Sequence, residues 1–184
     1  MRRTAIFKIF PLCDPDGVAR GGVRFNANGF DLNRNWDAPN FDVDETKMPE
    51  IAAQRKAILD WVDAGRRVDL FLTLHNTETS EYLDGPPDTE GRYRSLMERF
   101  FKLLSESNAF APTRQPRSAE ASTTIDKPGR MTVIQGLYKD RQLPAFLIEQ
   151  MITRHPKLGR QPTPEDRKQF GADLVRAMWQ TVMH

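Results

Sequence analysis

Apolar and polar positions alternate along the 184-residue chain in short blocks that read as separate elements. Ala5-Ile6-Phe7-Lys8-Ile9-Phe10 is rich in β-formers and stops at Pro11, which predicts a buried strand over 5–10. Asp14-Pro15-Asp16-Gly17 is a turn by composition. Residues 21–40 carry five Asn and three Gly without lasting periodicity, the mark of a long loop kept for function. From Met48 to Ala64, the apolar Ile51, Ile58, Leu59 and Val62 fall at helical spacing. Pro49 suits the first turn of that helix and Gly65 its stop. Val68 to Leu74 then reads as a mostly apolar strand running directly into His75.

The second half repeats these signals. Thr89 to Ser107 predicts an amphipathic helix with Tyr93, Leu96, Met97, Phe100, Phe101 and Leu104 on one side. Asn108 to Arg130 is polar and holds Pro112, Pro116 and Pro128, so it reads as a loop or lid. Pro144 to Gln150 predicts another strand, Ala145-Phe146-Leu147-Ile148, running into Glu149. Thr163-Pro164-Glu165-Asp166 opens a last helix, reaching about Met183, with an N-cap, an early proline and first-turn acids. Helices, short turns and apolar strands in this order predict an α/β fold: a mixed, largely parallel sheet with helices on both faces. The length and the lack of an internal repeat predict one domain over 1–184.

Composition narrows the function classes. Twenty-seven basic against 25 acidic residues leave a net charge of +2, which gives no footprint for nucleic acid. No apolar run approaches the roughly 20 residues of a membrane span. Lys8 and Pro11 interrupt the stretch behind Arg2-Arg3, so it does not read as a signal peptide. The one cysteine, Cys13, cannot form an internal disulfide. The compartment is not legible.

Two apolar strands that each run into an ionisable residue, His75 and Glu149, point to a site, because open α/β sheets bind ligands beyond the carboxyl ends of their strands. The string Asp14-Pro15-Asp16-Gly17-Val18, then Arg24, then Gly29-Phe30-Asp31-Leu32-Asn33-Arg34-Asn35-Trp36 resembles the M14-type zinc carboxypeptidase family. Leu74-His75-Asn76 and Phe146-Leu147-Ile148-Glu149 are similar to that family's strand ends for a zinc ligand and for the catalytic glutamate. The resemblance implies a three-layer α/β sandwich that uses one zinc ion to hydrolyse C-terminal peptide bonds. It implies His75 as a metal ligand and Glu149 as general base, then acid. Arg24, with Arg20 as competitor, would sit on the oxyanion, and Asn33 and Arg34 would hold the substrate carboxylate. The partner is then a peptide or small amide with a free carboxylate, which a guanidinium fork and an amide suit chemically. Tyr138 lies upstream of Glu149, where the family places a mobile tyrosine, but it reads equally as a packing residue.

One departure shapes the expectation. The family's H-x-x-E, which carries the other two zinc ligands, precedes the Asp-Pro-Asp-Gly turn, and none of the 13 residues before Asp14 is His or Glu. The chain therefore reads as a partial domain lacking its N-terminal strands, inactive by itself. His155 and His184 match no ligand motif, and His155-Pro156 is expected in a loop. Two other readings stand beside the peptidase. One is an N-acyl amino acid amidohydrolase of the desuccinylase and aspartoacylase type, and the other is a carboxylate-binding remnant without catalysis.

Overall fold

The computed structural model describes residues 4–37, 45–88, 90–119 and 129–183. The chain divides into two compact units, one formed by residues 69–121 and 143–184, the other by 2–68 and 122–142.

The first unit is built on a four-stranded sheet. Its strands are β1 (Phe71–Thr77), β2 (Tyr82–Gly85), β3 (Arg117–Ser118) and β4 (Ala145–Met151), in the order β1-β4-β2-β3. β4 runs parallel to β1 and antiparallel to β2, while β2 and β3 are parallel, so the sheet is mixed and mostly parallel as expected. Of β4's seven residues only Glu149 is not fully buried, which is why the strand reads as a continuous apolar run. Phe146 and Ile148, with Leu83 of β2, join one core with Phe100 and Leu104 of α3 (Arg94–Ser105) and Phe170, Leu174 and Ala177 of α5 (Pro164–Met183). The Phe100 and Phe146 rings stack at 6.1 Å. Each such large apolar side chain contributes about 1.5–3 kcal/mol on burial.

The second unit contains α1 (Pro15–Ala19), α2 (Pro49–Asp63) and α4 (Val133–Arg141). α2 lies where its periodicity puts it and buries Ile51, Ile58 and Leu59. It also buries Arg55, whose guanidinium pairs with Asp140 of α4 at 2.5 Å.

Several elements depart from the sequence pattern. The strand expected over 5–10 does not form: Ile6 and Ile9 are 77% and 74% exposed, and Lys8 Nζ lies 4.0 Å from the centre of the Trp61 ring. β-propensity is expressed only where a neighbouring strand and a packing face accept it. The Asp-Pro-Asp-Gly turn is the start of α1, with the Asp14 carboxylate accepting from Gly17 N–H at 2.8 Å. α3 begins at Arg94 rather than Thr89; just ahead of it, Asp88 Oδ2 accepts from Tyr93 N–H at 2.6 Å. α4 falls between the expected loop, 108–130, and the expected strand, 144–150, where the sequence pattern predicted no element. Part of the expected lid, 120–128, lies outside the described residues.

Candidate active site

On the first unit, ladder register fixes a row of side chains across three strands. His75 of β1 is the register partner of Glu149 of β4, and Tyr82 of β2 partners Glu149 from the other side. Register partners project from the same face of a sheet. His75, Glu149 and Tyr82 therefore share one face, opposite to the Phe146 and Ile148 side chains that enter the core. His75 Nδ1 lies 3.9 Å from Glu149 Oε1, and both side chains are mostly buried, at 26% and 15% exposure. The other ring nitrogen, Nε2, is 3.1 Å from the hydroxyl of Thr73, two residues back on the same face. Burial pushes the Tyr82 phenol above its ordinary value, and the charges of Glu149 and Asp84 push it further. The Arg114 guanidinium lies 4.0 Å above the Tyr82 ring and pairs with Asp84 at 2.7 Å. None of Thr73, Tyr82 and Arg114 carries a sequence motif; the strands place Thr73 and Tyr82, and Arg114 reaches Tyr82 from the segment before β3.

Behind that row lies a fully buried pair, Glu81 and His155, 3.2 Å apart and both 0% exposed. Glu81 Oε1 accepts from Met151 N–H at 2.8 Å, and Oε2 accepts from Ala111 N–H at 2.5 Å. His155 Nδ1 accepts from Leu158 N–H at 3.3 Å, so Nε2 carries the ring proton and donates to Glu81. A buried carboxylate with three donors is well compensated. Its anchor on Met151, two residues past Glu149, holds the end of β4. Sequence placed His155 in a loop, which is correct, but gave no sign of this partner.

On the second unit the candidates sit on the loop after α1. Arg24 Nη2 pairs with Asp31 Oδ2 at 2.7 Å, and Arg34 Nη1 approaches the same oxygen at 3.8 Å. Arg20 donates instead to Asp16 O at 3.2 Å, so Arg24 is the arginine that joins Asp31. Arg24 holds this place with a left-handed backbone, φ +71°, uncommon for a non-glycine residue. Asp31 Oδ1 also accepts from Asn33 N–H at 3.0 Å, closing an Asx turn. Asn33 Oδ1 accepts from Val133 N–H in the first turn of α4 at 3.0 Å, which fixes the amide with its NH₂ as the remaining polar end. Burial lowers the Arg34 pKa; Asp31 opposes this, while Arg24 and Arg130 add to it. Arg34 Nε is buried without a hydrogen-bond partner among the described residues. Tyr138 is half-buried in α4.

For a zinc ion, His75 fits one ligand position: an imidazole held at Nε2, with Nδ1 turned toward a carboxylate. A catalytic zinc takes three protein ligands. Among the described residues no three His, Cys, Asp or Glu side chains form a metal-holding cluster.

The chain is similar to known proteins. Cytosolic carboxypeptidase 1 of Xenopus laevis is 40% identical over 70 residues, 38% of this chain and 5% of that protein. ZMO1242 of Zymomonas mobilis is 26% identical over 95% of this chain and 45% of its own length. The chain thus spans less than half the length of these relatives. Among solved structures, a metallo-carboxypeptidase from Burkholderia cenocepacia superimposes with a TM-score of 0.74 at 22% identity, over 95% of this chain and 45% of that one. A metallo-carboxypeptidase from Pseudomonas aeruginosa, in complex with (2-guanidinoethylmercapto)succinic acid, gives 0.63 at 24% identity, over 90% and 43%. The model of the zinc carboxypeptidase family, Peptidase M14, matches residues 1–139, and the chain belongs to that family.

Proposed function

We propose that this chain carries the substrate-side machinery of a zinc-dependent carboxypeptidase that hydrolyses the last peptide bond of a chain with a free C-terminus. The observation that carries the reading is the loop around Arg34. Burial, and after it the charges of Arg24 and Arg130, lower the Arg34 pKa against the opposing pull of Asp31, so the guanidinium would gain from an added anion. The buried Arg34 Nε still offers a donor there. A terminal carboxylate supplies the anion and the planar acceptor, with the Asn33 amide as second contact. The Pseudomonas neighbour's succinic acid ligand is likewise a carboxylate compound.

Bound zinc would polarise the scissile carbonyl and acidify a water. His75 is proposed as one ligand, through Nδ1. Glu149 takes the water's proton and later delivers it to the leaving amine, and Arg24 stabilises the developing oxyanion. Among the described residues the His75 and Glu149 face carries one imidazole and His155 is committed to Glu81, so the 184-residue chain alone should retain no stoichiometric zinc after dialysis and should not turn over peptides.

The test is kinetic, on a zinc-loaded form of the protein that turns over peptides. Glu149→Gln should leave peptide binding in place and lower kcat about 10²–10⁴-fold. Arg34→Ala should weaken free-acid peptides and leave C-terminally amidated ones nearly unchanged, with Arg34→Lys recovering only part. An equal penalty on both substrates would remove Arg34 as the carboxylate clamp.

A further inference from the structure

We propose that Asp31 is a positioning residue that holds Arg24, Asn33 and Arg34 in one frame, an inference that rests on the reading of those three as the groups that meet the substrate. Its carboxylate is divided among them. Oδ2 pairs with Arg24 Nη2 at 2.7 Å and stands 3.8 Å from Arg34 Nη1, while Oδ1 accepts from Asn33 N–H at 3.0 Å. Its backbone serves the same stretch. The Asp31 carbonyl accepts from Arg34 N–H at 3.1 Å, and Asp31 forms an antiparallel bridge with Phe25, the neighbour of Arg24. Asp31 is the buried member of the ion pair, at 15% side-chain exposure against 54% for Arg24, so the carboxylate is the fixed end. A left-handed arginine persists where its surroundings over-determine it, and here the bridge and the ion pair do so together. The frame still leaves a donor over: Arg34 Nη1 is committed to Asn33 O at 2.7 Å, whereas Nε is buried without a partner among the described residues. Charge and position then act in opposite directions. By charge alone, a carboxylate beside an anion site repels the ligand, so its loss should tighten binding. As the holder of two guanidinium groups and an amide in one geometry, its loss should weaken binding.

The experiment uses the 184-residue chain labelled with ¹⁵N-arginine, titrated with N-acetylglycine and with its amide, N-acetylglycinamide. The Nε–H signals of Arg34 and Arg24 are followed. In the wild type the Arg34 signal should move with the acid and not with the amide. Asp31→Asn keeps the shape and removes the charge, whereas Asp31→Glu keeps the charge and displaces it by one methylene. Both variants should bind N-acetylglycine at least several-fold more weakly, and in both the Arg24 signal should shift to that of a free arginine. Unchanged or tighter binding in Asp31→Asn, or an Arg24 signal that stays in place, would overturn the inference and leave the carboxylate clamp standing. Should Asp31→Asn fail to fold, Asp31→Glu decides alone, and wild-type affinity there counts against positioning. If neither ligand moves the Arg34 signal in the wild type, the carboxylate clamp falls and this inference falls with it.

Discussion

His75, Glu149 and Tyr82 stand on adjacent strands, whereas Arg24, Asn33 and Arg34 stand on a loop, and the two groups are held by different means. On the sheet, a hydrogen-bond ladder sets the spacing, and each side chain inherits its position from register. On the loop there is one isolated bridge, Phe25 with Asp31, and the geometry is assembled one side chain at a time. Asn26 spends its whole amide on the loop: Oδ1 accepts from Asn28 and Phe30 N–H, and Nδ2 donates to Lys47 O and Glu50. Asp37 and Asn33 tie the far end to Gly129, Met131 and Val133. Side chains on paired strands keep a fixed spacing, which the proposed role of Glu149 requires. A grip on a carboxylate needs several donors converging, which a loop rich in Asn and Arg can supply without a ladder. The two should also break differently.

The largest expected effect is on the strand face. Glu81→Ala leaves Met151 N–H, Ala111 N–H and His155 Nε2–H facing a cavity with no acceptor. Breaking a buried charged network of this kind costs about 3–5 kcal/mol. Chemical denaturation should register that loss, and the amide of Met151 should lose its hydrogen-exchange protection. If Met151 exchanges as slowly as before, Glu81 does not anchor β4.

The loop should give way to crowding. Gly136 of α4 sits against Trp36, and a methyl there would lie 2.6 Å from Trp36 Cβ and closer still to its carbonyl oxygen. Alanine gains about 1 kcal/mol in helix propensity over glycine. Overpacking against backbone outweighs that, and Gly136→Ala should destabilise by about 1–2 kcal/mol net. Because Trp36 lies two residues from Arg34, the same variant should weaken the proposed carboxylate binding more than it perturbs His75. A stabilised variant would show that α4 can move away from Trp36 freely.

The contrast between ladder and loop also explains what could be read in the sequence. β4 and α5 were legible because burial on both faces and a proline-led cap leave plain patterns at Ala145–Ile148 and Thr163–Asp166. The Asp-Leu-Asn-Arg-Asn-Trp string was legible as a motif through its resemblance to the family pattern, and its polar side chains at Asp31, Asn33 and Trp36 each make a separate hydrogen bond. α4 was not. Val133, Ile134, Gln135, Gly136 and Leu137 are all buried, so no amphipathic stripe exists, although Thr132 and Gln135 spelled its capping box. β2, Tyr82-Leu83-Asp84-Gly85, is too short and too polar to announce a strand, and with it Tyr82 and Glu81 went unread. Residues 5–10 carry the opposite lesson, with strand propensity and no strand.

A smaller effect tests the cap that α4 shares with the loop. Thr132 N–H donates to Gln135 Oε1 at 2.9 Å, and the reciprocal bond from Gln135 N–H to the Thr132 side chain completes the box. Thr132→Ala should cost about 1 kcal/mol. Its consequences should reach Asn33, whose oxygen accepts from Val133, before they reach the strand face. Chemical-shift changes confined to residues around α4 and 31–37 would match that order, and equal changes at His75 would contradict it.

The smallest effect compares two helix starts in acid. α4 is capped by uncharged groups, Thr132 and Gln135. α5 depends on a carboxylate: Asp166 accepts from Arg160, from Thr163 N–H at 2.7 Å and from the Thr163 hydroxyl at 2.7 Å. Arg160 and then the Thr163 bonds hold the Asp166 carboxyl far below its ordinary value of 3.8. A depressed carboxyl contributes stability that is fully present above the unfolded value and disappears as pH falls through the folded one. Between about pH 5 and pH 2 the α5 start should therefore loosen while the α4 cap stays as it was. Arg160 is half exposed, so solvent screens the pair and the change should be a local fraying rather than unfolding. Amide exchange at Thr163 and Arg167 should quicken in acid relative to Thr132 and Gly136, after correction for intrinsic rates. Asp166→Asn should abolish that difference, because the amide has no proton to gain in this range. If the α4 cap loosens in step with α5, the two starts do not differ in the charge that holds them.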